Sequence, residues 1–146
     1  MTKTKTMTKT KTNKQEQDNI IYASYNWELP NEFKKQWIKA LKSGNYLQGT
    51  GTLSESNDSV LSYCCLGVAC SVAGVNDYDI HGEWIDNWNG NFCDIPEILK
   101  GSADDNKLVK ILSEMNDNLS ETGAEEHVFN FSDIANWIDR YIKGIK

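Results

Sequence analysis

The feature that most constrains the fold is a cysteine-rich run at residues 63–70, which spells YCCLGVAC. Apolar side chains continue through Val72 and Ala73, and Gly74 then provides a helix stop. The run predicts a helix over residues 64–72 that is apolar on most of its sides. A helix of that kind is stable only when it is buried. The remainder of the chain is therefore expected to pack around it.

Three further helical segments are predicted, and each has one apolar face. Residues 30–43 place Phe33, Trp37, Ala40 and Leu41 on a single face, with Pro30 in the first turn and Gly44 after the end. Residues 104–115 repeat apolar side chains at helical spacing, and Pro96 opens a shorter helical turn before them. The last helix is predicted to begin at Ser132 as N-cap. Its apolar stripe consists of Ile134, Trp137, Ile138, Tyr141 and Ile142.

Residues 45–63 predict a β-hairpin. Its first strand is placed at residues 46–53, its polar turn at 54–59 and its return strand at 60–63. Residues 75–95 are predicted to hold one or two short strands, with turns at Gly82 and at Asn89-Gly90. The expected fold class is α+β, with three to four helices around a small antiparallel sheet and one central buried helix.

The charge is divided unevenly between the N-terminus and the rest. Residues 1–19 carry five Lys and two acids in a Thr/Lys-rich repeat that has no apolar face, so a disordered tail is predicted there. Of the totals of 15 basic and 21 acidic residues, ten and nineteen then remain for a single α+β domain at residues 20–146, a net charge of −9. An acidic body with Arg140 as its single arginine argues against broad nucleic-acid binding.

Localisation follows from what the sequence lacks. No stretch approaches 18 apolar residues, and the N-terminus has no apolar core of a secretory signal. We therefore expect a cytoplasmic protein that spans no membrane and keeps its thiols reduced.

The motifs together resemble a widespread family of small uncharacterised proteins of tailed bacteriophages and prophages. The family pattern is a Y-C-C-L-G-V-x-C motif with a Tyr-x-Gln-Gly segment upstream, an Asn-Asp pair and a C-terminal helix downstream. The matching residues here are Trp37, Ala40, Leu41, Ser43, Gly44, Tyr46, Gln48, Gly49, Gly51, Leu53, the run at 63–70, Asn116, Asp117, Phe131, Ile134, Ala135, Trp137 and Ile138. The resemblance implies a phage origin, the host cytoplasm as location and an accessory role outside the virion.

The cysteine run raises two chemical hypotheses. A zinc site is not predicted, because adjacent cysteines lack the usual spacing of ligand pairs. A cysteine nucleophile is the alternative: Cys64 or Cys65 stands where a strand meets a helix N-terminus, which lowers a thiol pKa. His81 would be the base of this papain-like arrangement. His127 is the second choice of base, with Asn87 or Asp79 to orient the imidazole.

A binding site is the other hypothesis. Aromatic walls with a few polar groups are typical of small-molecule sites and of protein hot spots. The candidate binding residues are Tyr46, Gln48, Tyr63, Trp84, Trp88, Asn116 and Asp117. The ordinary interpretation is that the aromatic side chains fill the core and that the Asn-Asp pair caps a helix or makes a turn.

The leading functional hypothesis is a phage-encoded accessory protein that acts by binding, in host takeover or counter-defence. Its partner would be a host protein or a small nucleotide-like ligand, and the acidic charge favours the protein. The competing hypotheses are a cysteine-nucleophile hydrolase and a homo-oligomer that associates through the Trp-rich middle segment. No cofactor is predicted.

Overall fold

Five α-helices and four short strands make up the described part of the chain, which is an α+β fold as predicted. The computed structural model describes residues 22–83, 95–101, 104–117 and 129–146. The predicted disordered tail at residues 1–19 lies outside these ranges. The helices are α1 (Asn31–Lys42), α2 (Cys65–Val72), α3 (Asp77–Ile80), α4 (Lys107–Asn116) and α5 (Phe131–Tyr141). The strands are β1 (Glu28–Pro30), β2 (Ser54–Asn57), β3 (Val60–Tyr63) and β4 (Lys143–Ile145), and a 3₁₀ turn covers Glu97–Leu99.

Helix α2 is the centre of the core, as the cysteine run predicts. All six residues from Cys65 to Cys70 are buried, and α1, α3 and α4 pack against the helix. Cys64 is its N-cap, where the Sγ atom accepts a hydrogen bond from the backbone N–H of Gly67 at 3.3 Å. Gly74 follows its end in the left-handed region, with φ of 86°, which favours glycine.

Helix α1 packs against both α2 and α5. Its apolar face contacts both helices, and the indole N–H of Trp37 donates to the carbonyl oxygen of Cys65 at 3.0 Å. Glu32 lies in the first turn, where the helix dipole favours a carboxylate. Gly44 comes directly after the C-cap Ser43 with φ of 80°, so the predicted stop is confirmed.

The β-hairpin lies later in the chain than predicted. β2 pairs antiparallel with β3 from Ser54↔Tyr63 to Asn57↔Val60, so strand residues occupy the segment expected to be the turn. The turn shrinks to Asp58-Ser59, whose φ values of 51° and 68° fit a two-residue type I′ turn. Residues 46–53 are not a hairpin strand. The sequence-based placement was wrong because β2 is polar and lacks the alternating apolar residues that mark a strand.

Segment 47–49 instead lies on the other side of Tyr63. The N–H of Tyr63 donates to the carbonyl oxygen of Leu47 and the N–H of Gly49 donates to the carbonyl oxygen of Tyr63, both at 2.8 Å. This short parallel bridge leaves Tyr63 between Gln48 and Ser54. The loop is thereby held against the strand that leads into α2.

Three other elements differ from the sequence prediction. The region predicted to hold strands after residue 75 begins with helix α3, although Gly82 does make a turn with φ of 73°; its second predicted turn, at Asn89-Gly90, lies outside the described residues. The N-cap of α5 is Asn130, two residues before Ser132, because Asn130 and Asp133 form a reciprocal capping box. The parallel pairing of β1 with β4 was not predicted.

The packing of Gly67 makes a testable prediction about the core. A β-carbon at this helical position would collide with the backbone carbonyl of Leu53. Helix propensity alone would favour Ala, but a backbone atom cannot move aside as a side chain can. We expect Gly67→Ala to lower the free energy of unfolding by about 3 kcal/mol in urea titrations. Gly44→Ala, which enters open space at positive φ, should cost about 1 kcal/mol. Equal or greater stability of Gly67→Ala relative to Gly44→Ala would contradict this packing.

Candidate functional site

Five of the seven predicted binding residues are described, and the structure brings them together beside β3. The rings of Tyr46 and Tyr63 meet edge to face at 5.1 Å, and the Tyr46 hydroxyl lies 2.9 Å from the Ser71 hydroxyl. Gln48 forms a backbone bridge with Tyr63, and its side chain donates to the Asn116 side chain of the Asn116-Asp117 pair. Trp84 and Trp88 lie outside the described residues, as does the Trp-rich segment assigned to an oligomer interface.

The carboxamide of Asn116 is the centre of this cluster. The residue ends α4 and is only 3% exposed. Its Oδ1 atom accepts from the backbone N–H of Cys65 at 3.0 Å and from Nε2 of Gln48 at 3.4 Å. Its Nδ2 atom donates to the carbonyl oxygen of Gly49 at 2.8 Å and to Oδ1 of Asp117 at 3.1 Å. The side chain therefore uses both of its donors and accepts twice.

Two neighbours complete the network. Oδ1 of Asp117 also accepts from the N–H of Gly51 at 3.0 Å, and Nε2 of Gln48 also donates to the carbonyl oxygen of Phe129 at 3.0 Å. Every one of these bonds is made within the chain. These bonds fix the loop at residues 48–51 against α2 and α4. They also use both donors and two acceptor positions of Asn116, so this side chain is not placed to bind a ligand. We refer to this cluster below as the Asn116 network.

The cysteines at the start of α2 lie deep in the core. Cys64 and Cys65 are both fully buried, and Sγ of Cys65 points its proton at the carbonyl oxygen of Leu112, 3.6 Å away. Burial raises the pKa of Cys64 from an ordinary 9.0 to about 12, and it raises the pKa of Cys65 well above 9.0. Both thiols are thus protonated at neutral pH, although a nucleophile requires the thiolate.

The predicted base does not meet these thiols. His81 is exposed, and its backbone forms a bridge with Ser54. Asp79 is exposed as well, while His127 and Asn87 lie outside the described residues. Within the described ranges, no group of three His, Cys, Asp or Glu side chains is placed to hold a metal ion. This arrangement supports a structural role for the cysteine run.

A cleft that the sequence did not indicate lies where β1 pairs with β4. It has a volume of about 510 Å³ and is lined by Ala23, by residues 26–28, by Lys34, by the end of α5 and by β4. A shallower depression of about 250 Å³ lies beside it, and Arg140 and Tyr141 line both. The parallel pairing of β1 with β4 brings these segments, which are far apart in sequence, to one place.

The polar lining of the cleft carries three cations and two carboxylates. Lys34 is largely buried, with 13% of its side chain exposed. Its ammonium donates to the carbonyl oxygen of Asp139 at 3.2 Å and lies 3.5 Å from Oδ1 of the same residue, whose side chain is 73% exposed. Arg140, Lys143 and Glu28 are exposed at the rim.

Aromatic rings form one wall of the cleft and continue beyond it. Trp27 stacks on Tyr25 with centroids 4.7 Å apart and planes 4° from parallel. Trp27 also contacts Trp137, which in turn contacts Tyr141, at 5.6 and 5.2 Å. The guanidinium carbon of Arg140 lies 5.6 Å from the centre of the Tyr141 ring, a cation–π geometry.

Sequence reasoning missed this cleft for an identifiable reason. Trp137 and Tyr141 were assigned to the buried stripe of the last helix, yet both are only half-buried. The available signal was the spacing of Tyr22, Tyr25 and Trp27 just before the first long helix, next to the one arginine of the chain in the last. The pairing of β1 with β4, which the sequence did not predict, brings these two segments together.

One family model is similar to part of the chain. A family model described as a domain of unknown function, DUF8296, matches residues 29–76. The matched segment runs from β1 to just beyond α2, so it includes the hairpin and the cysteine run but neither Asn116 nor α5. No curated protein and no solved structure matches the chain. In the described ranges, no helix is long and apolar enough to cross a bilayer.

The Asn116 network predicts a large effect of one substitution on stability. Asn116→Ala leaves the N–H of Cys65 and the carbonyl of Gly49 without their partner, so we expect a loss of about 3 kcal/mol in urea titrations. Asn116→Asp keeps the acceptor but cannot donate to Gly49, and it should also be destabilising. The exposed control Asn45→Ala should change stability by less than about 0.5 kcal/mol. An Asn116→Ala protein as stable as the control would show that the network contributes little.

The burial of the thiols predicts their reactivity. In folded protein at pH 8, iodoacetamide should leave Cys64 and Cys65 unmodified, because both are inaccessible and protonated. Peptide mapping by mass spectrometry after a brief reaction measures this for each cysteine separately. The same protein unfolded in urea should be alkylated at both positions, which controls for peptide detection. Rapid modification of either residue in the folded state would revive the nucleophile hypothesis.

Proposed function

We propose that this protein acts by binding, as a phage-encoded accessory factor in the cytoplasm of an infected bacterium. The biological context rests on the resemblance of its motifs to tailed-phage proteins. Its role there would be host takeover or counter-defence. The alternative of a cysteine hydrolase has less support, since the thiols at the start of α2 are buried and no base contacts them in the described part of the chain.

The observation that carries the proposal is the cleft between residues 23–28 and the end of α5. It combines half-buried aromatic side chains with charged groups of both signs, which is the composition of a recognition site. The Asn116 network, by contrast, spends its hydrogen bonds within the chain. The cleft is therefore the better candidate for the binding surface.

Two classes of partner fit this proposal. A small nucleotide-like ligand would use the aromatic wall and the cations of the cleft. A host protein would find a second surface at the hairpin, where Leu47, Val60 and Leu61 are exposed apolar side chains. The overall acidic charge favours a protein with a basic patch, whereas the local cations of the cleft favour a small anion.

Affinity capture with a cleft variant tests the proposal. Tagged protein is incubated with lysate of phage-infected bacteria, and the bound proteins and small molecules are identified by mass spectrometry. The cleft variant is Arg140→Gln with Lys143→Gln, two exposed positions that leave the core intact. The matched control is Lys107→Gln with Lys110→Gln on the exposed side of α4, which removes the same charge.

We expect wild type and the α4 control to enrich a species that the cleft variant does not retain. Circular dichroism and thermal unfolding establish that all three proteins are equally folded. Capture profiles that do not differ between wild type and the cleft variant would contradict a binding role for the cleft. Capture lost only when the hairpin is altered, for example by Leu61→Ser, would assign the function to the host-protein surface instead.

A further inference from the structure

We propose that the ligand of the cleft is a nucleoside monophosphate, with its phosphate bound by Arg140 and Lys143 and its base against Trp27. This inference rests on the proposed binding function and specifies the ligand class for the same cleft. Four properties of the cleft carry it: a guanidinium without a carboxylate partner among the described residues, a largely buried ammonium with an exposed partner, an aromatic wall and two exposed carboxylates.

The guanidinium of Arg140 is exposed and has its N–H donors available for an anion. It packs over the Tyr141 ring, which orients the planar group without using its N–H donors. In the part of the chain that the structure describes, Arg140 forms no salt bridge with a carboxylate. Arginine binds a phosphate with two parallel charge-assisted hydrogen bonds, and Lys143, also on the cleft lining, adds a second positive charge.

Lys34 supplies a third positive charge deeper in the cleft. Its side chain is largely buried, but the carboxylate that faces it, on Asp139, is mostly exposed to water. Their N···O distance of 3.5 Å is long for a charge-assisted hydrogen bond. An anionic ligand can therefore compete with Asp139 for this ammonium. The cleft lies at the carboxyl end of α5, where the helix dipole disfavours anions. Binding of an anion there therefore depends on the positive charges of the lining, including that of Lys34.

The aromatic wall accounts for the planar part of the ligand. Trp27 lines the cleft, and its indole already stacks on the ring of Tyr25 in near-parallel geometry. Tyr25 is 41% exposed and does not line the cleft, so we expect a base either to replace its ring on Trp27 or to extend the stack. Bases stack on aromatic side chains with little dependence on their identity. The cleft thus selects a base without specifying which one.

The two carboxylates limit how much negative charge the ligand can carry. Glu28 and Asp139 lie on the same lining as the cations, and they are acceptors suited to ribose hydroxyls or an exocyclic amino group. They would repel a triphosphate, and the body of the protein, at −9 outside the tail, would repel a longer polyanion. The cleft volume of about 510 Å³ falls in the range of small-ligand sites, roughly 300–1,000 Å³. A single phosphate on one nucleoside satisfies all of these limits.

Calorimetric titration of the full-length protein with defined probes tests this inference. The probes are adenosine monophosphate, adenosine, inorganic phosphate, adenosine triphosphate and a single-stranded oligoadenylate. The variants are Arg140→Gln, Arg140→Lys and Trp27→Leu, with Lys107→Gln as the matched control on α4. Arg140→Lys keeps the charge but loses the paired donors, so it separates bidentate recognition from charge alone.

We expect the monophosphate to bind more tightly than the other four probes. Arg140→Gln and Arg140→Lys should each weaken that binding by about tenfold or more, the scale of one lost charge-assisted contact. Trp27→Leu should also weaken it, whereas Lys107→Gln should leave it unchanged. Because Trp27 contributes to packing, its result counts only if thermal unfolding matches wild type, and Arg140→Lys, at an exposed position, keeps the test decisive without it.

Several outcomes would overturn the inference. Equal affinity for inorganic phosphate would remove the base from the ligand, and equal affinity for adenosine would remove the phosphate. Equal or tighter binding of the triphosphate or the oligoadenylate would contradict the charge limit set by the carboxylates. If no probe binds while lysate capture still depends on Arg140 and Lys143, the nucleotide is wrong but the binding function of the cleft stands.

Discussion

The buried carboxamide of Asn116 is the contact on which the arrangement of the chain depends. It joins the end of α4 to the loop at residues 48–51 and to the first residue of α2, both more than fifty residues earlier in the chain. A buried polar group without partners is costly, so only one register of α4 against α2 satisfies all of these bonds. The apolar contacts between the two helices make them adjacent, and Asn116 determines how far one is shifted along the other.

The need to satisfy buried polar groups also explains the glycine in the first turn of α2. Gly67 allows the Leu53 carbonyl to reach the helix surface, and that carbonyl accepts the N–H of Cys64 at 3.2 Å. The indole N–H of Trp37 donates to the carbonyl oxygen of Cys65. The start of α2 is thus held by one backbone hydrogen bond to Leu53 and one side-chain hydrogen bond from Trp37, while the cysteines contribute small apolar volume and one cap.

The longer helices of this fold could be predicted from sequence, whereas its strand pairing and its long-range contacts could not. The period of Phe33, Trp37 and Leu41, and the glycines 44 and 74, suffice for α1 and for the end of α2. The position of β2 could not be predicted, since Ser54–Asn57 is polar and becomes a strand only by pairing with β3. Asn116 raised the same difficulty: an Asn after a helix predicts a cap, and nothing local reveals that its partners lie more than fifty residues earlier.

The cleft shows why overall charge is a poor guide to a particular site. Averaged over the body, the acidic excess argued for a protein partner and against an anionic ligand. Charges separated by more than about 8 Å are largely screened at physiological salt, so a bound ligand responds mainly to the groups that line its site. Around the cleft those groups are Lys34, Arg140 and Lys143 against Glu28 and Asp139.

The distant acids still act on any polymer long enough to extend past the rim, since its outer phosphates would face them directly. Local cations within an acidic body therefore favour a short anion over a long one, and this combination follows from the pairing of β1 with β4 rather than from composition.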